Sequence, residues 1–290
     1  MIRSFLFVPA DSERKIRKAA TAGADALIYD LEDSVNPEKR EQARKIAAAA
    51  TRERGDAWVR INPLDTEDAD LDLEAIVPAA PAGIVLPKPE SAGDVIDLAA
   101  RLDELEAAHG IEPGKTRIIA LCTERPVALF SLGGYVDATN RLAGLSWGAE
   151  DLSTAVGAAE NRDASGQWLP PYQLARSLCL FAAAAAGVPA IDTVFTDYKS
   201  ADGVARYAAN ARRDGFSGML AIHPSQVDII NAAFMPTDEE ILRAKKIIAL
   251  FDANPSAGAL GMDGEMIDRP HLIQAQKILE LADKAGHIKK

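Results

Sequence analysis

Short apolar runs rich in Val, Ile and Leu alternate with amphipathic stretches along most of the chain. The runs are Phe5–Val8, Ala26–Tyr29, Ala57–Pro63, Gly83–Leu86, Ile118–Cys122, Leu142–Leu145, Val188–Phe195 and Gly218–Ile222. Helical patterns stand between them over Ser12–Ala22, Pro37–Arg54, a stretch ending at Ala108, Leu174–Ala186 and Asp202–Arg213, with Gly23 and Gly187 as stops. Near-continuous apolar strands separated by helices indicate a parallel sheet covered by helices. Eight such units in about 225 residues predict an α/β fold, a (β/α)8 TIM barrel, whose active sites lie at the C-terminal strand ends. A doubly wound open sheet is the competing architecture. It is weakened by Pro9-Ala10-Asp11 where a Gly-rich turn would follow the first strand.

The period breaks after the eighth run. Pro236-Thr237-Asp238-Glu239-Glu240 is a capped helix start, and that helix runs to about Ala253. A Gly/Pro-rich stretch, 254–264, leads through Glu265–Pro270 into a last helix over His271–Ala285. The predicted organisation is a barrel over 1–235 and a C-terminal helical segment over 236–290. Its flexible stretch reads as a lid or an arm onto a neighbouring subunit, or as a plain connector.

Polar residues collect at the predicted strand ends. Glu32 and Asp33 follow the second run, Arg60 and Asn62 lie at the third, and Lys88 and Glu90 follow the fourth. Glu124 follows the fifth, Glu150 and Asp151 the sixth, Asp192 and Asp197 lie in or after the seventh, and His223 follows the eighth. In a closed barrel these ring one mouth. Carboxylates on adjacent strand ends suit Mg²⁺, which takes one or two of them and keeps the rest of its shell for water and substrate. Each acid taken alone reads equally as a solvated loop residue.

Composition narrows the field. The net charge of −11 and the absence of a long basic run exclude a nucleic-acid partner. No apolar run reaches membrane-spanning length, and the start Met1-Ile2-Arg3-Ser4-Phe5 lacks a signal-peptide pattern, so a cytoplasmic protein with no membrane partner is expected. Cys122 and Cys179 read as buried free thiols.

Several motifs occur in order: R-S-F-L-F-V-P at 3–9, D-L-E-D-S-V at 30–35, R-I-N-P at 60–63 and L-P-K-P-E at 86–90. T-E at 123–124, G-A-E-D-L at 148–152, A-I-H-P at 221–224 and D-G-E-M-I-D-R-P at 263–270 complete the set. Over essentially its whole length the chain resembles the citrate lyase beta-subunit-like proteins of the HpcH/HpaI aldolase superfamily, which includes malyl-CoA and citramalyl-CoA lyases. The resemblance implies a (β/α)8 barrel and a Mg²⁺-dependent carbon–carbon lyase acting on a 3-hydroxyacyl-CoA, with a CoA thioester and an oxo acid as small-molecule partners. It implies Glu124 and Asp151 as metal ligands, with Glu124 also facing substrate, and Arg60 as the group that binds the substrate. It further implies Asp268 as a catalytic acid from an adjacent subunit of a homo-oligomer, trimer being the expectation. Glu32 and Asp33 would hold the metal's waters and orient Arg60. Arg14, Lys15 and Lys18 are candidates for the CoA phosphates.

The residue types agree with that chemistry: a divalent Lewis acid, a cation aimed at an enolate oxygen and a carboxylate for proton transfer. Lys88 sits at a strand end, but its proline neighbours and the presence of a metal-ligand pair favour a metal route over a Schiff base. His223 reads as a structural hydrogen-bonder before Pro224. One departure from the family pattern is Arg125-Pro126 after Glu124, where a small residue is usual, and it bears on the substrate. A malyl-CoA-type thioesterase and a partner-dependent citrate lyase subunit are the competing activities.

Overall fold

The computed structural model describes residues 2–284, so Ala285, the expected end of the last helix, lies outside the described residues. Eight strands pair in parallel in chain order, and the eighth returns to the first to close a barrel. They are β1 Ser4–Pro9, β2 Ala26–Asp30, β3 Trp58–Arg60, β4 Gly83–Leu86, β5 Arg117–Leu121, β6 Leu142–Ser146, β7 Ala190–Asp192 and β8 Gly218–Ala221. Helices α1 Glu13–Ala20, α2 Arg40–Glu53, α3 Glu67–Ile76, α4 Ala92–Ala108, α5 Ala149–Ala155, α6 Pro170–Ala185, α7 Ala201–Asp214 and α8 Val227–Ala233 lie between and after the strands. The register puts Pro9 opposite Asp30, Asp30 opposite Arg60, and Leu121 opposite Ser146. The polar ends of the strands therefore share one rim.

Five local readings change. The helix after β3 was not visible as a pattern, because Asp68 and Asp72 turn inward to Arg44 rather than outward to water. No α-helix follows β5. Two short 3₁₀ turns, Pro126–Phe130 and Leu132–Tyr135, take its place around Pro126 and the Gly133-Gly134 pair. The seventh strand keeps only three residues of the expected Val188–Phe195. Asp192, expected at the rim, is fully buried and accepts from Trp147 Nε1 at 2.7 Å, Arg176 Nη2 at 2.7 Å and Tyr207 Oη at 3.1 Å. Glu150 and Asp151, read as loop acids, lie in the first turn of α5, where the helix dipole favours negative charge.

Phe5, Ile28, Trp58, Val85, Ile119, Leu121, Ile191 and Leu220 form one core cluster, with Phe5 edge-on to Trp58 at 6.3 Å between ring centroids. By its internal contacts the chain divides into two compact units, Met1–Asn231 and Ala232–Lys290. In the second, α9 Asp238–Asp252 and α10 Arg269–Lys284 bury Ala244, Ile247, Phe251 and Ala275 together with Ile267. The stretch read as flexible contains an antiparallel hairpin, β9 Ala259–Met262 and β10 Glu265–Asp268. Its turn, Asp263-Gly264, has φ of 53° and 82°, the pair of positive values a two-residue type I′ turn requires. That Asp-Gly dipeptide was the available signal. Among the described residues no helix is long and apolar enough to cross a membrane.

Packing at β4 has no slack. A Cβ added to Gly83 would stand 2.3 Å from the Trp58 ring and 2.6 Å from the Arg117 carbonyl oxygen. Gly83→Ala is expected to cost about 1–3 kcal/mol through overpacking, seen as a lower urea midpoint with an unchanged slope.

Candidate active site

The rim is built around a partly buried guanidinium. Arg60 ends β3 beside Asp30, its register partner on β2, and the two form a bidentate pair with Nε–Oδ1 and Nη2–Oδ2 both at 2.7 Å. Arg60 also lies over the Phe7 ring, 4.8 Å from its centroid. Burial opposes the charge of Arg60, but Asp30, Glu32 and Glu124 hold its pKa above the ordinary value. Burial likewise opposes ionisation of Asp30. Arg60, with hydrogen bonds from Ser34 and the Glu32 N–H, outweighs that and keeps the carboxyl below its usual range. Asp30 thus fixes both the arginine and the turn that carries Glu32.

Glu32 is buried between two cations. Its Oε1 accepts from Lys88 Nζ at 2.7 Å, and its Oε2 lies 2.8 Å from Arg60 Nη1, close enough for an ion pair but outside hydrogen-bond geometry. Lys88 stands in the left-handed region at φ 52° between Pro87 and Pro89. Its backbone N–H donates to Glu124 Oε2 at 2.7 Å, while its ammonium also meets Asp33 at 3.2 Å and Asp151 at 3.2 Å. Burial lowers the affinity of Lys88 for its proton, and Glu32, Asp151 and Asp33 more than restore it.

Glu124 is 4% exposed and shares its surroundings with Asp151 and Glu32. Burial, then the charges of those two acids, push its pKa up to about 8 against the pull of Arg60 and the Lys88 N–H. Burial raises the pKa of Glu32 as well. Glu124 fits only because residue 148 is glycine: a Cβ there would lie 2.5 Å from its Cγ and 2.7 Å from its Oε1. Gly148 precedes α5, so the same glycine admits Glu124 and starts the helix that carries Asp151. The barrel therefore brings together Arg60, Glu32, Asp33, Glu124 and Asp151, all named from sequence. Reading from sequence missed Asp30 as the main partner of Arg60, Lys88 as the cation among the acids, and the fit of Gly148 to Glu124. The strand register was the signal for the first.

The remaining candidates lie elsewhere. Lys15 and Lys18 line a cavity of about 330 Å³ beside Leu6, Val8, Ile222 and His223, while Arg14 is exposed on the same helix and is not among its lining residues. His223 Nδ1 pairs with Ser225 Oγ at 2.7 Å and caps a 3₁₀ turn, and its ring stacks on Tyr198 at 4.7 Å. Arg125 bridges Glu90 at 2.8 Å and Asp65 at 2.7 Å, tying the loops after β3 and β4 to the end of β5. Asp268 belongs to the second compact unit, at the end of β10, with its Oδ1 2.5 Å from His271 Nδ1.

Glu124 gives the fold a pH dependence with a definite sign. Its folded pKa of about 8 lies above the model-peptide value of 4.5, so the folded state holds the proton longer than the unfolded chain. The resulting stabilisation is complete below pH 4.5 and is lost as pH rises to about 8. In EDTA, the difference in unfolding free energy between wild type and Glu124→Gln is expected to turn against wild type across that window, as urea titrations at a series of pH values would show.

Residues 3–224 match the model of the family described as HpcH/HpaI aldolase/citrate lyase. Citrate lyase subunit beta of Haemophilus influenzae is 34% identical over 290 residues, covering 98% of this chain and 97% of that protein. The (3S)-malyl-CoA thioesterase of Cereibacter sphaeroides is 31% identical over 287 residues, covering 97% and 94%. The crystal structure of CitE from Mycobacterium tuberculosis in complex with magnesium, acetoacetate and coenzyme A matches with a TM-score of 0.84 at 33% identity, covering 97% of this chain and 98% of that one. The chain belongs to the HpcH/HpaI aldolase/citrate lyase family.

Proposed function

We propose that this protein is a magnesium-dependent lyase that cleaves, or forms, the bond between C2 and C3 of a 3-hydroxyacyl-CoA, giving an acyl-CoA and an oxo acid. The observation that carries the reading is the underpaired carboxylate Glu124, buried beside Asp151 and Glu32, its pKa pushed up to about 8 by burial first and then by those two charges. A local excess of negative charge on hard oxygen atoms fits a divalent cation of the Mg²⁺ class, held by Glu124 and Asp151. Bound there, the cation would supply Lewis acidity toward the hydroxyl or carbonyl and the neighbouring carboxylate of the substrate. Relatives support the assignment, since the CitE structure contains magnesium and coenzyme A and a second one contains oxaloacetate and magnesium.

The chain's own residues divide the rest of the work. Arg60, kept charged by Asp30, holds the thioester oxygen and stabilises the enolate as the C2–C3 bond breaks. In cleavage the bonding pair goes to the acyl-CoA carbon, the hydroxyl gives its proton to the Asp268 carboxylate and becomes the carbonyl of the oxo acid, and Asp268 then passes that proton to the enolate carbon. Condensation reverses each transfer. Lys15, Lys18 and Arg14 offer charge to the CoA phosphates, and the cavity beside Leu6 and Val8 offers apolar surface. We assign the second compact unit as the arm that carries Asp268 into an adjacent subunit's barrel within a homo-oligomer, trimer being the family expectation.

The deciding experiment is mass spectrometry of the protein incubated with Mg²⁺, acetyl-CoA or propionyl-CoA, and glyoxylate, pyruvate or oxaloacetate. A new 3-hydroxyacyl-CoA mass is expected that vanishes with EDTA and in Glu124→Ala. Free CoA appearing alongside it would favour the thioesterase activity of the Cereibacter relative, and no product from any pair would favour a partner-dependent subunit. Arg60→Lys is expected to lower kcat by about 10²–10³, the usual loss when a donor to a developing oxyanion is removed. Co-expressed with Asp268→Asn it is expected to regain part of the activity; a mixture as inactive as either variant alone would refute action between subunits.

A further inference from the structure

Both oxygens of Glu32 already face a cation, Lys88 on one side and Arg60 on the other. Both oxygens of Asp33 lie within 3.3 Å of the Lys88 ammonium. Among the described residues no three acidic, His or Cys side chains converge as a metal-binding group, although Glu32, Asp33, Glu124 and Asp151 share one rim. Lys88 touches all four, through its ammonium to three of them and its backbone N–H to Glu124. Its backbone is held at φ 52°, in the left-handed region that most side chains avoid. That turn lets one residue point its N–H at Glu124 and its side chain at Glu32.

An open catalytic metal site needs few protein ligands, so that water and substrate complete the shell. Four neighbouring carboxylates threaten the opposite, a closed cage that binds metal tightly and excludes substrate. We infer that Lys88 sets the openness of the cation site: its ammonium hydrogen-bonds Glu32 and Asp33 but meets Asp151 only as an ion pair at 3.2 Å, so that Glu124 and Asp151 are the carboxylates a metal can draw on. This rests on the magnesium site proposed above and adds to it a positioning residue outside the coordination shell. The ammonium also repels an incoming dication, so it loosens binding by charge as well as by holding the two acids away.

Manganese(II) in place of magnesium reads both effects without turnover: electron paramagnetic resonance gives its affinity, and water-proton relaxation gives the number of exchangeable waters on the bound ion. Lys88→Met is expected to bind Mn²⁺ roughly tenfold tighter, within the range that shell changes produce at metal sites, and with at least one water fewer. Lys88→Arg, which keeps the cation, is expected to retain more of the wild-type water count than Lys88→Met. Adding Glu32→Gln to Lys88→Met is expected to restore part of the lost water. Lys88→Met with wild-type or weaker affinity and an unchanged water count would overturn the inference while leaving the metal site standing. Should Lys88→Met fail to fold by circular dichroism, Glu32→Gln alone decides: an unchanged water count supports the inference, and a gain of one water shows that Glu32 was a ligand and overturns it. Wild type that takes up no Mn²⁺ removes the metal site and the inference together.

Discussion

The site depends on the pair formed by Arg60 and Asp30. A partly buried guanidinium on a short strand persists there only if a carboxylate matches its fork, and breaking its pair with the fully buried Asp30 would leave that carboxylate's charge uncompensated, at a cost of up to about 3–5 kcal/mol. Asp30 meets the requirement because the parallel register sets it opposite Arg60, and because the Glu32 and Ser34 N–H groups hold its own oxygens. The consequence reaches past the pair. The turn that Asp30 organises delivers Glu32 to Lys88, and Lys88 delivers its N–H to Glu124. Each functional side chain is placed by the one before it.

Charge in the rim is deliberately unbalanced, and glycine makes that possible. Glu124 receives one backbone hydrogen bond and borders two further acids, an arrangement a buried carboxylate tolerates only by gaining a proton or a cation. The Glu124 side chain fills the space that a Cβ at residue 148 would need, so only glycine there lets Glu124 lie beside the turn that leads to Asp151. Packing and electrostatics therefore meet at one position, where a methyl group would disturb both.

Much of this was legible in the sequence, for reasons that differ by element. The eight buried strands announced themselves because parallel strands covered on both faces are continuously apolar, as in Ala26–Tyr29 and Gly83–Leu86. The helix over Glu67–Ile76 did not, because its acids turn inward to Arg44 and blur the amphipathic period. The Ala259–Asp268 hairpin was hidden by strands of four residues, too short to show alternation. At the site, residue types pointed to the rim and the resemblance picked the residues, but their pairings depend on register, which no local pattern carries. From sequence Asp30 is only the residue that follows the second apolar run, and Lys88 is weighed for covalent chemistry rather than for its contacts.

Asp192 shows what separates a functional acid from a structural one in this barrel. It ends β7 as Asp30 ends β2, and its charge and burial match those of the acids around Arg60. Yet Trp147, Tyr207, the Thr193 N–H and Arg176 close on it until every lone pair has a donor. Asp72 is treated alike, with the Asn62 N–H and Nδ2 and Arg44 as donors. Both are finished networks that anchor the strand ends and leave no demand for a ligand. Glu124 has the same burial with one donor and acid neighbours. Satisfaction, rather than burial or charge, distinguishes the carboxylates that hold the barrel together from Glu124, the one we propose as a magnesium ligand.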